Sequence, residues 1–224
     1  MTYLPPYRAG SSVVLGGLRG GLLTAAFVVT LCLPVVVLAD EQPFTPVPAE
    51  QLLPALLEGG HVIYFRHAQT EKDYADQVTA DPNDGSTQRV LSEEGWNQSK
   101  AIGEAFRELA IPVGDVISSE YFRAWQTADL AFGRYEKNAM LNFLPFEDYT
   151  PEQVEEMRER VMPLVVAVPD EGVNTVIVAH DDPFEAVTGI YPEPQGVAYV
   201  LKPDGENFTI LARLEFDEWA ELDD

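Results

Sequence analysis

Two histidines and two arginines stand where apolar runs of this sequence stop. Arg66 and His67 follow Val62-Ile63-Tyr64-Phe65 directly, and His180 follows NTVIVA, residues 174 to 179. Ser118-Ser119 follow Asp115-Val116-Ile117, and Arg123 comes about one helical turn later. Arginine forks match the oxygens of a phosphoryl group in bidentate geometry. A neutral imidazole can attack phosphorus in line. A protein with such a set works mainly by positioning and charge neutralisation. The departing oxygen still needs a proton, so a carboxylic acid has to stand close by.

These residues meet only if the chain folds to bring them together. Residues 49 to 58, AEQLLPALLE, read as a short helix closed by Gly59-Gly60. His61 to Phe65 is the first strand, and Asp73 to Arg89 a polar loop without apolar period. Ser92 opens a helix with Glu93 and Glu94 in its first turn, and Ile102, Ala105, Phe106 and Leu109 share one face. Asp115 to Ile117 is a second strand, Tyr121 to Phe132 a helix, and residues 141 to 146 are expected as a third strand. Thr150-Pro151-Glu152-Gln153 is a capping box opening a helix to about Ala167. NTVIVA is apolar enough for a strand covered on both faces. Asp182 is expected to cap the next helix, and Gly196–Leu201 with Phe208–Leu214 to form a closing hairpin. Alternating strands and helices predict an α/β fold, a three-layer α/β/α sandwich with a mostly parallel central sheet. In such sheets ligands bind beyond the carboxyl ends of the strands, where the histidines and arginines fall.

Composition narrows the partners. Lys and Arg number 14 against 37 Asp and Glu, a net charge of -23. Such a surface repels nucleic acid and anionic membranes, so a phosphate site must be a local gathering of positive groups. The N-terminus reads as an export signal. Arg8 and Arg19 are its only charges, residues 21 to 38 are apolar apart from two threonines, and Val37-Leu38-Ala39 offers a peptidase site. Cleavage is expected after Ala39, leaving a proline-rich linker over residues 40 to 48 and a domain over 49 to 224. The expected location is then periplasmic or secreted, with no membrane contact after cleavage. A retained membrane anchor is the alternative, since the apolar run is nearly long enough to span. Cys32, the sole cysteine, lies inside this segment, so the mature chain offers no disulfide or thiolate. With three histidines in all, no metal site is expected and no cofactor is implied.

The motifs resemble the histidine phosphatase superfamily. Arg66-His67-Ala68 stands where that family usually has Arg-His-Gly. Leu91-Ser92-Glu93-Glu94-Gly95, then residues 118 to 128, SSEYFRAWQTA, then Val176 to His180, VIVAH, follow in the family's order. Each piece is weak alone; four in order, across roughly residues 60 to 190, are specific. The resemblance implies that His67 is the nucleophile that becomes phosphohistidine. It implies that Arg66, Arg123 and His180 bind the phosphoryl group and that no metal takes part. His180-Asp181 is similar to the His-Asp pair of acid phosphatases and phytases, which makes Asp181 the first candidate for the general acid. Glu147 is the second, because mutase-like members place a glutamate in that region. Glu120, where the family often has proline, puts a third carboxylate near the pocket. Ala68 for glycine is tolerable if φ stays negative. Asp73, where mutase-like members tend to have asparagine, argues against a mutase.

The expectation is thus a metal-independent phosphomonoesterase acting on a small phosphate ester. A narrow-specificity envelope phosphatase, for a sugar phosphate or a lipopolysaccharide-core phosphate, is the alternative among enzymes. A phosphate-binding module without turnover is the alternative of another class. Ser118 and Ser119 look like poor nucleophiles because no base is close in sequence, and His61, at the opposite strand end, reads as structural.

Overall fold

The computed structural model describes residues 44–72, 76, 80–145 and 148–223. The leader, Asp73 and Glu147 lie outside the described residues. Six strands form one sheet in the order β3-β2-β4-β1-β5-β6. They are β1 (Val62–Arg66), β2 (Val113–Ser118), β3 (Glu136–Lys137), β4 (Asn174–Ala179), β5 (Ala198–Pro203) and β6 (Phe208–Leu214). The first four run parallel, and β5 and β6 are antiparallel. The sheet is therefore mostly parallel, as the alternation of elements predicts.

Side chains alternate across a strand, so each central strand feeds two cores. Ile63 and Phe65 of β1, with Val176 and Val178 of β4, face α1 (Ala49–Glu58), α2 (Glu93–Glu108) and α3 (Phe122–Phe132). Val62 and Tyr64, with Ile177 and Ala179, face α4 (Pro151–Val165) and α5 (Asp181–Thr188). Every residue of β1 is buried, which explains its unbroken apolar run. Each such side chain contributes about 1.5–3 kcal/mol.

Register sets the site. Arg66 pairs with Ala179, and Ser118 with Val178. The ladders continue one step past the strands: His67 N–H donates to Ala179 O and Ser119 N–H to Val178 O, each at 3.0 Å. Since β4 lies between β1 and β2, three carboxyl ends lie side by side at a point where strand order reverses. The start of α2 packs there too. Ser92 caps it, accepting from Gly95 N–H at 3.1 Å. A Cβ on Gly95 would stand 2.0 Å from Gln69 O, so only glycine lets α2 approach the segment that follows His67 so closely.

Three local expectations fail. No strand runs over 141 to 145, residue 146 lying outside the described residues; β3 is Glu136–Lys137, and Ala139–Leu141 is a 3-10 turn. That stretch is apolar because Leu141 enters the core and Phe143 packs on the site, not because of a sheet face, and Pro145 has no N–H to pair. The helix from Pro151 ends at Val165, short of Ala167. Asp182 does not cap α5, whose N-cap is His180.

Candidate active site

His67 and His180 are essentially unexposed, and Arg66 and Arg123 are buried with them. The structure brings all four together, as the strand ends predict. Their hydrogen bonds assign roles to individual nitrogens. His67 Nδ1 lies 2.9 Å from Ala68 O, which can only accept, so Nδ1 carries the proton. His67 Nε2 then has the lone pair, and Arg123 Nε donates to it at 3.1 Å. Burial lowers the His67 pKa well below its ordinary value, and Arg123, Arg66 and Arg89 push the same way. A neutral imidazole with Nε2 as its basic atom is what a nucleophile requires. Ala68 keeps negative φ, so the missing glycine brings no backbone strain.

His180 is held from the other side. Its Nε2 lies 2.8 Å from Ser119 Oγ. That hydroxyl donates to Asn142 Oδ1 at 2.7 Å, and Asn142 Nδ2 donates to Glu120 Oε2 at 2.8 Å. With its proton spent on Asn142, Ser119 accepts from His180 Nε2–H. His180 Nδ1 is left buried and without a partner among the described residues. Burial, and then Arg123, holds the His180 pKa well below the ordinary range. Tyr121 and Phe143 close around the ring with centroids at 5.4 and 4.8 Å, and His67 at 5.5 Å. The same two aromatic rings lie 5.2 Å from the Arg123 guanidinium carbon.

Both arginines carry carboxylates where phosphoryl oxygens would fit. Arg123 Nη1 pairs with Asp76 at 3.0 Å. Arg66 Nη2 pairs with Asp181 Oδ2 at 2.5 Å, and its Nη1 donates to Pro192 O at 2.8 Å. Asp181 Oδ2 also accepts from Tyr191 O–H at 2.7 Å. The Tyr191 pKa is pushed up to about 12 by burial and by that hydrogen bond. Asp181 is an acceptor in each of these contacts. Asp182, expected as a cap, instead accepts from Tyr149 O–H at 2.9 Å, and burial, then Asp181, raises its pKa. Glu120 binds Asn142 and orders the chain that ends on His180. Glu147 lies outside the described residues.

Several site residues were not legible in advance. Ser119 does have an imidazole beside it, across from β2 to β4, but that ring donates Nε2–H to the hydroxyl and is no base for it. Asp76 and Asn142 come from irregular segments, whose long-range contacts have no periodic signal. Arg89 lines, with Arg66, an open cavity of about 660 Å³. Among the described residues no group of three or more His, Cys, Asp or Glu could hold a metal ion. His61 sits at the other end of β1, its N–H donating to Asn174 Oδ1 at 3.1 Å.

Comparison with known proteins agrees with this picture. Residues 62–142 match the family described as "Histidine phosphatase superfamily (branch 1)". No curated protein matches the sequence. Among solved structures, a mycobacterial glucosyl-3-phosphoglycerate phosphatase complexed with VO3 superposes with a TM-score of 0.51 at 18% identity, over 68% of this chain and 97% of that one. The protein histidine phosphatase SixA, complexed with tungstate, gives 0.48 at 13% identity, over 70% and 97%. A Thermus thermophilus protein, TTHB049, gives 0.49 at 20%, over 69% and 99%. The resemblance read from the motifs is thus met by a family match over residues 62–142, from the strand that carries His67 to the asparagine that orders Ser119, and by a shared fold.

Proposed function

We propose that the protein is an exported, metal-independent phosphatase that hydrolyses phosphomonoesters through a phosphohistidine on His67. The observation that carries the reading is the tautomer of His67: Nδ1–H on Ala68 O, with a basic Nε2 beside a buried guanidinium. The match of residues 62–142 to the histidine phosphatase superfamily supports phosphatase-type chemistry, and the mycobacterial structure bears a phosphatase name.

In the first step the Nε2 lone pair attacks phosphorus, and the bond from phosphorus to the ester oxygen breaks. Ala68 O stabilises the positive charge the ring gains, through Nδ1–H. Arg66 and Arg123 exchange Asp181 and Asp76 for phosphoryl oxygens, which suit their forks better than a single carboxylate oxygen. His180 takes the proton of a monoanionic ester at Nδ1 and, as the imidazolium, binds a third oxygen, its charge offset by the bound phosphate. Asp181, released from Arg66 at the edge of the open cavity, takes up a proton from solvent and gives it to the departing alkoxide. Water then attacks phosphorus and gives a proton to the Asp181 carboxylate, the phosphorus–nitrogen bond breaks with its electron pair returning to Nε2, and inorganic phosphate leaves. Export rests on the leader expected over residues 1 to 39.

The test uses the full chain and its His67→Ala variant, with p-nitrophenyl phosphate and EDTA. Turnover by the parent that vanishes in the variant supports the reading. A parent that binds phosphate without turnover would instead make it a binding module.

A further inference from the structure

The cavity beyond Arg66 has a composition at odds with the rest of the surface. It holds about 660 Å³, room for a leaving group as large as a hexose. Arg66, Arg89 and Lys72 line it, against only two acids, Glu71 and Glu193. The chain as a whole carries 37 acids to 14 bases, so three cations against two acids is a local reversal of the chain's balance.

Arg89 is the distinctive member. The buried arginines Arg66 and Arg123 each hold a carboxylate, but among the described residues no carboxylate pairs with Arg89. Its Nε is buried and without a partner among the described residues. The side chain is half-buried on the cavity wall, and its guanidinium, with no counter-ion among the described residues, can meet an anion that enters the cavity. Its backbone is tied to the phosphoryl clamp: Arg89 N–H donates to Asp76 Oδ1 at 2.7 Å, on the carboxylate that Arg123 holds. Lys72 stands on the same cavity and also lacks an ion pair among the described residues. Amide and hydroxyl groups of Gln69, Thr70, Gln98 and Gln195 complete the lining, a set suited to hydroxyls rather than to an apolar leaving group.

We propose that Arg89 and Lys72 form an anion subsite for the leaving group, so that the substrate is a hydroxyl-rich phosphate ester with a second negative charge, a sugar-acid phosphate or a sugar bisphosphate. This rests on the phosphatase reading and names the substrate class of that same site. The phosphoryl group to be cleaved sits between Arg66, Arg123 and His180. The second anion reaches Arg89 across the cavity, with Lys72 at its mouth.

The test compares matched esters that differ in one anionic group: 6-phosphogluconate against glucitol 6-phosphate, and fructose 1,6-bisphosphate against fructose 6-phosphate. Binding is measured by calorimetry on the full chain carrying His67→Ala, which cannot turn them over. The charged member should bind about 10-fold tighter or more in at least one pair, as a charged hydrogen bond warrants. Arg89→Gln in that background should remove most of the preference, and Lys72→Gln, at an exposed position, should reduce it without disturbing the fold. Equal affinities within both pairs, no binding of either, or a preference unchanged in Arg89→Gln and Lys72→Gln would overturn the subsite. Failure of the phosphatase reading looks different: the charged ester binds preferentially, but the parent releases no phosphate from it.

Discussion

The two arginines of the clamp do the same work from opposite surroundings. Arg123 lies between Tyr121 and Phe143, bonds His67 directly and is almost wholly enclosed. Arg66 reaches its partners at the edge of an open cavity, with Pro192, Asp181 and Tyr191 around its guanidinium. One arginine is part of the nucleophile's fixed housing. The other stands at the edge of the cavity, although each holds a carboxylate, Asp76 or Asp181, that a phosphoryl oxygen would replace. The half of the site that must not move is dry and aromatic, and the half that must admit a leaving group is polar and open.

Breaking the fixed half should cost most. Arg123→Ala removes a donor on Nε2 and strands Asp76, and kcat should fall by about 10²–10³-fold, as for loss of a preorganised donor. Arg123→Lys should recover little of it, because an ammonium cannot bond His67 and a phosphoryl oxygen in one plane. Steady-state turnover of p-nitrophenyl phosphate checks both.

The movable half should fail selectively. Asp181→Asn should lower hydrolysis of an alkyl phosphate by about 10²-fold or more, the range for a lost general acid. It should leave p-nitrophenyl phosphate within about tenfold, since that leaving group hardly needs a proton. Equal losses on both substrates would make Asp181 a partner of Arg66 and nothing more. Asp182, whose raised pKa suits an acid, would then be the next residue to change.

A smaller effect is expected from the chain behind His180. Asn142→Leu should free Ser119 to donate rather than accept, which reverses the tautomer of His180. A loss of about tenfold in kcat/KM, with a shift of the acid limb of the pH profile, is the expected result, within the range for one unsatisfied buried hydrogen bond. Glu120→Gln keeps a side-chain oxygen for the Asn142 amide and should cost less.

Stability should record the same burial. His61, His67 and His180 all have pKa values lowered from 6.5 in the folded chain, burial being the first cause in each. Below pH 6.5 the unfolded chain binds protons that the folded chain resists, so stability falls as pH falls and is unaffected above that point. Each histidine contributes a slope of at most about 1.4 kcal/mol per pH unit. Thermal melts between pH 7.5 and 5 should show His180→Gln with the shallower decline, and bound phosphate should flatten the parent's curve.

How much of this was legible follows from where the residues sit. Arg66, His67 and His180 could be read because each ends an apolar strand, and strand ends converge in a parallel sheet. Arg123 could be read because its helix starts just after a third strand. Asp76, Asn142 and Arg89 could not be placed, since they come from irregular segments whose position depends on the finished fold. The stretch around Phe143 misled for the same reason: it is apolar because it encloses His180 and Arg123, which looks like strand composition when its target is unknown. Asp182 misled differently. Its place in sequence suits a cap, but Tyr149, from another element, claims the carboxylate.

The most direct test of the central account is to trap the intermediate. The full chain would be mixed with a phosphate monoester in the presence of EDTA, quenched in base within the first turnover, digested and sequenced by mass spectrometry. The account predicts one acid-labile phosphoryl group on the peptide holding Arg66 and His67, located on His67. A phosphoryl group on any other residue, or turnover that EDTA abolishes, would contradict it.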